Sequence, residues 1–98
     1  MRDTGTMIKD SKILIADDDE NLCYLLKEEL INEGYNVDIV YDGKDAIESL
    51  KRKTYDVLLL DLEMREVHGE KVLSFVKENQ PSVQVIVLTA KSDMRTAI

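Results

Sequence analysis

Apolar positions along the chain follow two rhythms that alternate from the twelfth residue onward. "KILIA" (12–16) is short, apolar and rich in isoleucine, the pattern of a strand buried on both faces. Leu22, Leu25, Leu26 and Leu30 then recur at helical spacing, with Asp18 or Asp19 placed to cap the helix and Gly34 to stop it. The couple comes again in "YNVDIV" (35–40), where Val37, Ile39 and Tyr41 alternate with polar neighbours, and "DGKDAIESLKRK" (42–53), where Ala46, Ile47 and Leu50 share one helical face. "YDVLLL" (55–60) predicts a third strand, and Val72, Leu73, Phe75 and Val76 predict a third helix ending before "NQP". "VQVIVL" (83–88) predicts a fourth strand, and in "TAKSDMRTAI" Ser92 or Asp93 is placed to cap a helix that the chain end cuts short. Residues 1–10 show no periodicity and predict a disordered leader, so the domain is expected over 11–98.

Strict strand–helix alternation with short connections implies parallel strands joined by right-handed crossovers, hence a three-layer α/β/α doubly wound sheet. In such sheets ligands bind beyond the carboxyl ends of the strands, where the strand order reverses. Asp17, Asp18, Asp19 and Glu20 fall at that edge after the first strand, and Asp61 falls there after the third.

Composition narrows the classes. A chain of 98 residues builds one modest core, burying about 65% of its unfolded surface. No apolar run approaches the roughly 20 residues of a membrane span, and the first ten residues lack the apolar centre of a signal peptide, so a cytoplasmic protein without membrane contact is expected. Cys23 is the sole cysteine, which rules out an intrachain disulfide or a thiolate zinc cluster. A net charge of −7 argues against direct nucleic-acid binding and suits cations or basic partners.

Acidic clusters at the ends of neighbouring strands bring carboxylates together, and like charges so close repel unless neutralised. Hard oxygen ligands with partial solvent access favour Mg²⁺, although Mn²⁺ or Ca²⁺ fit the same oxygens. For Asp19 and Glu20 the simpler reading is helix capping and favourable charge at a helix N-terminus. For Asp17 and Asp18, opposite Asp61, a metal cradle is the better reading. His68, the only histidine, reads as a solvated loop residue. Cys23 reads as a small, partly buried side chain, and "KRK" (51–53) as favourable charge at a helix C-terminus.

"ILIADDDE", "VLLLDLEM" with Gly69 eight positions after Asp61, and "VIVLTA" with Thr89 twenty-eight after it together resemble the receiver domain of bacterial two-component response regulators. The resemblance spans residues 12–98. It implies a flavodoxin-like strand order 2-1-3-4, with the family's fifth strand, last helix, lysine and switch aromatic beyond residue 98; Lys91 does not match that lysine. It implies that Asp61 accepts a phosphoryl group from the phosphohistidine of a sensor histidine kinase. Asp18 then matches a direct Mg²⁺ ligand, Asp17 one acting through water, and Glu63 a ligand through its backbone carbonyl. Thr89 matches the hydroxyl that bonds the phosphoryl oxygen, and Ala90 the small residue beside it. The phosphorylated domain would relay a conformational signal to an output module outside this chain. The loop after the acceptor departs from the family, with Met64-Arg65 in place of Met-Pro and His68-Gly69 in place of Asp-Gly.

A pseudo-receiver that is not phosphorylated and a Mg²⁺-dependent phosphohydrolase are the rival readings. The intact acid set argues against the first, and the absence of a following catalytic lysine against the second. A fourth strand left at the sheet edge would further favour self-association through that edge.

Overall fold

The computed structural model describes residues 10–64 and 67–88. Its elements run β1 (Lys12–Ala16), α1 (Glu20–Asn32), β2 (Asn36–Val40), α2 (Gly43–Arg52), β3 (Val57–Asp61), α3 (Gly69–Asn79) and β4 (Gln84–Leu88). The strands form one parallel sheet in the order β2-β1-β3-β4. From β1 the chain moves outward to β2 and then crosses back to β3 on the other side, so the order reverses between β1 and β3. The expected three-layer α/β arrangement is therefore present.

Side chains of a strand point alternately to its two faces, and β1 divides them between two cores. Leu14 and Ala16 join Leu58 and Leu60 of β3 against Ala46 and Leu50 of α2 and Val72 and Val76 of α3. Ile13 and Ile15 face the other way, toward Cys23, Leu26 and Leu30 of α1 and Val57 and Leu59 of β3. Burial on both faces is what the continuous apolar runs of β1 and β3 required.

Local signals place most of the boundaries. Asp19 caps α1 by accepting the Leu22 amide, and Asp42 caps α2 by accepting the Asp45 amide. Gly34 takes a φ of 99°, the left-handed conformation that ends α1 at no steric cost. Expected and observed positions differ at several places. Leu25 is exposed, because Cys23, Leu26 and Leu30 define the arc that packs on the sheet and Leu25 lies more than about 100° round the helix from its centre. Tyr41 lies past β2 and is exposed. β3 starts at Val57, two residues late, because Asp56 bonds the Lys12 amide through its side chain and Tyr55 turns into the core beneath α2. α3 extends through Asn79, whose side-chain amide donates to the Phe75 carbonyl. Cys23 is wholly buried rather than partly so. The expected leader falls almost wholly on residues outside those described. Asp10, the described part of it, donates its amide to the Gly34 carbonyl.

β4 pairs with β3 along one edge, and no strand among the described residues pairs with the other. Ile86 and Val87, neighbours that point to opposite faces, are about half exposed, at 50% and 46%.

A polar link ties β2 to the turn before β3. The Tyr55 hydroxyl donates to Asp38 Oδ2 at 2.6 Å, and Lys53 Nζ reaches the same oxygen at 3.0 Å. The tyrosine hydrogen bond, with Lys53 in support, holds the Asp38 carboxyl below its usual range. Burial, and then the bond to Asp38, push the Tyr55 phenol well above its usual range. A depressed carboxylate stabilises the fold above its unfolded pKa and loses that contribution as pH falls through the folded value. A raised phenol contributes below its unfolded pKa and loses that contribution as pH rises. The link therefore stabilises between about pH 4 and pH 10. Tyr55→Phe should cost about 1 kcal/mol at neutral pH, held low because Asp38 is partly solvated. The difference from the parent should shrink below about pH 4 in urea unfolding curves.

Candidate functional site

The ends of β1 and β3, at the point where the strand order reverses, carry the acids. Asp17 continues the β1–β2 ladder by one bond, its amide donating to the Val40 carbonyl at 3.2 Å. Its side chain is buried and accepts the Asp19 amide on Oδ1 at 2.9 Å. The Asp17 carbonyl accepts the Cys23 thiol at 3.2 Å, which fixes the first turn of α1 beneath the site. Asp19 is committed to capping α1, as its simpler reading held, and Asp18 stands half-buried between the two.

On β3, Asp61 is also buried, and its Oδ1 accepts the Glu63 amide at 3.0 Å. Asp17, Asp18 and Asp61 each offer a carboxylate oxygen, all within 4.8 Å of one another. At that spacing each pair of charges repels by about 3 kcal/mol at the effective dielectric of a partly buried site. The donor set is all hard oxygen, partly buried and open through Asp18. This fits Mg²⁺, which keeps several waters and takes the rest of its shell from a few carboxylates.

The remaining candidates fall differently. Glu63 is exposed and its side chain stands outside the three-carboxylate group. Thr89 and Ala90 lie outside the described residues, as do Ser92 and Asp93. His68 sits exposed at the cap position of α3 and makes no side-chain capping bond, in keeping with a solvated residue. Lys51 and Arg52 occupy the last turn of α2, while Lys53 bonds Asp38.

Two residues support the site in ways that sequence reasoning did not give. Met64 is buried in the core under the loop, although its neighbours read as loop residues. Gly69 packs onto the Asp61–Leu62 backbone: a Cβ there would lie 2.5 Å from Leu62 Cα and closer still to the Asp61 carbonyl oxygen. Its spacing from Asp61 was visible, but its steric reason was not.

The family model of the response regulator receiver domain matches residues 13–98. The chain belongs to that family. This receiver domain is 42% identical over 83 residues to the response regulator ArlR of Staphylococcus saprophyticus, covering 85% of this chain and 37% of ArlR. It thus spans little more than a third of that relative. Among solved structures it is similar to the response regulator TrrA of Thermotoga maritima in complex with Mg²⁺ and a beryllium fluoride, with 35% identity and a TM-score of 0.78 over 90% of this chain and 76% of that one. TrrA bound to the histidine kinase ThkA is similar at 36% identity and a TM-score of 0.77, over 87% of this chain and 73% of the other. No helix among the described residues is long and apolar enough to cross a membrane.

Because a side chain at Gly69 would drive into the backbone that carries Asp61, Gly69→Ala should destabilise the receiver domain by about 2 kcal/mol or more. Urea unfolding measures it; an unchanged midpoint would mean that the loop has room to spare.

Proposed function

We propose that this receiver domain accepts a phosphoryl group on Asp61 from the phosphohistidine of a sensor histidine kinase. Asp17, Asp18 and Asp61, with the Glu63 backbone carbonyl, would hold a Mg²⁺ ion. The observation that carries this reading is the buried Asp61, anchored through the Glu63 amide, within 4.8 Å of two further carboxylates. TrrA supports it, both in complex with Mg²⁺ and a beryllium fluoride and bound to a histidine kinase.

The chain's own residues do most of the positioning. The Glu63 amide holds Asp61 Oδ1 and so fixes the plane of the carboxylate, which lowers the entropy cost of bringing an oxygen in line with the phosphorus. An Asp61 oxygen forms the new O–P bond as the P–N bond to the kinase imidazole breaks, and the imidazole nitrogen keeps the electron pair. Mg²⁺, when bound, neutralises charge on the carboxylates and the incoming phosphoryl oxygens. Thr89 would donate a hydroxyl hydrogen bond to one of those oxygens, and Ala90 would leave them room. The aspartyl phosphate is spent in signalling to an output domain, so the chain is a phosphoacceptor and not an enzyme with its own substrate. A cytoplasmic setting suits such a partner pair. Exposed Ile86 and Val87 on β4 support pairing with a second copy of the chain along that strand.

Two results are expected. Mg²⁺ titration of Asp18→Ala should show most of the binding lost, and unchanged binding would remove Asp18 from the site. In the full-length protein, acetyl phosphate with Mg²⁺ should phosphorylate the parent and leave Asp61→Asn unlabelled. Comparable labelling of Asp61→Asn would place the acceptor elsewhere.

A further inference from the structure

Gly43 opens α2 at its first helical position, directly after the Asp42 cap. On propensity glycine is a poor choice in a helix, costing about 1 kcal/mol against alanine. Backbone conformation does not demand it either, since Gly34 is the glycine whose φ is positive among the described residues. The reason is steric. A Cβ on Gly43 would lie 2.8 Å from both the carbonyl carbon and the Cβ of Val67, and closer still to the Val67 carbonyl oxygen. Two residues later Gly69 is pressed against the Asp61–Leu62 backbone, and its amide donates to the Leu62 carbonyl at 3.2 Å. The backbone from Val67 to Gly69 is thus held between the first turn of α2 and the end of β3, with a glycine at each contact.

We propose that Gly43 is a positioning residue for Asp61. The start of α2 is rigid, because the Asp42 side chain accepts the Asp45 amide at 2.8 Å and Ala46 is buried behind it. That rigid turn sets how closely Val67 approaches the sheet. Val67 in turn sets where Gly69 meets the Asp61 carbonyl, and the adjoining Glu63 amide then fixes the Asp61 carboxylate. A methyl group on Gly43 pushes this chain of contacts outward at its far end and loosens the acceptor without touching it.

The test has a structural arm and a kinetic arm, of which only the second rests on the phosphoacceptor reading. Amide hydrogen exchange is followed by NMR in the parent, in Gly43→Ala and in Val76→Ala, which destabilises the buried base of α3 by leaving a cavity. In Gly43→Ala the Glu63 and Gly69 amides should exchange about tenfold faster, beyond any change at Leu14 and Leu58 in the sheet core. In Val76→Ala all four should change together. Exchange in Gly43→Ala that rises uniformly, or not at all, overturns the proposal. Where Gly43→Ala is too unstable to isolate, Val67→Gly withdraws the Cβ seated against α2. It should speed exchange at Glu63 and Gly69 while Ala46 and Leu50 in α2 keep their protection; loss of protection in α2 as well overturns the proposal. In the kinetic arm, phosphorylation of the full-length protein by acetyl phosphate should slow about tenfold in Gly43→Ala and stay at the parent rate in Val76→Ala. If the variants show the expected exchange pattern but the parent takes no phosphate, the phosphoacceptor reading fails and the positioning role stands.

Discussion

Mutual repulsion among Asp17, Asp18 and Asp61 is the constraint around which the rest of this receiver domain is arranged. Carboxylates within 4.8 Å of one another do not stay together on a flexible loop; each would swing out into water. Here Asp17 and Asp61 are tied to the ends of β1 and β3, and Asp18 follows directly on Asp17. β1 and β3 are the two central strands, paired on both edges and packed on both faces, so the last residue of β3 and the first beyond β1 inherit the rigidity of the core. Backbone amides hold two of the carboxylates in place, Asp19 for Asp17 and Glu63 for Asp61. In the function proposed above, a divalent cation would remove the repulsion that remains.

The same rigidity accounts for the close contacts around the site. Cys23, buried at the start of α1, bonds the Asp17 carbonyl, and Gly69 lies on the Asp61 carbonyl. Small side chains occur where a helix start must come close to the end of a strand, and the acids occupy the space left between them. Farther off, the Tyr55–Asp38–Lys53 link closes the β2 side of the sheet, where a single neighbouring strand gives less support.

Much of this could be read from residues alone, for identifiable reasons. The strands of the centre announce themselves because burial on two faces forces unbroken apolar runs such as "ILIA" and "VLLL", and Asp19, Asp42 and Gly34 are local signals that need no tertiary partner. The acids at 17, 18 and 61 were recognisable as a group because strand–helix alternation places the ends of β1 and β3 at one edge. What stayed hidden depends on contacts between segments distant in sequence. Leu25 fits a helical repeat as well as Leu26 does, and only the position of the sheet decides which is buried. Tyr55 looked like the first residue of a strand until Asp38 claimed its hydroxyl. Gly43 carries no sign in the sequence that Val67 lies against it.

In the function proposed above, these three carboxylates are held together against their own repulsion to receive a cation. The most direct test is the unfolding free energy of the parent and of Asp61→Asn, each measured without divalent ions and in millimolar Mg²⁺. Asparagine keeps an oxygen to accept the Glu63 amide and removes the charge. Without Mg²⁺ the variant should therefore be the more stable of the two, and added Mg²⁺ should stabilise the parent more than the variant and close or reverse the gap. A variant less stable than the parent without Mg²⁺, together with equal stabilisation of both by the ion, would contradict the account.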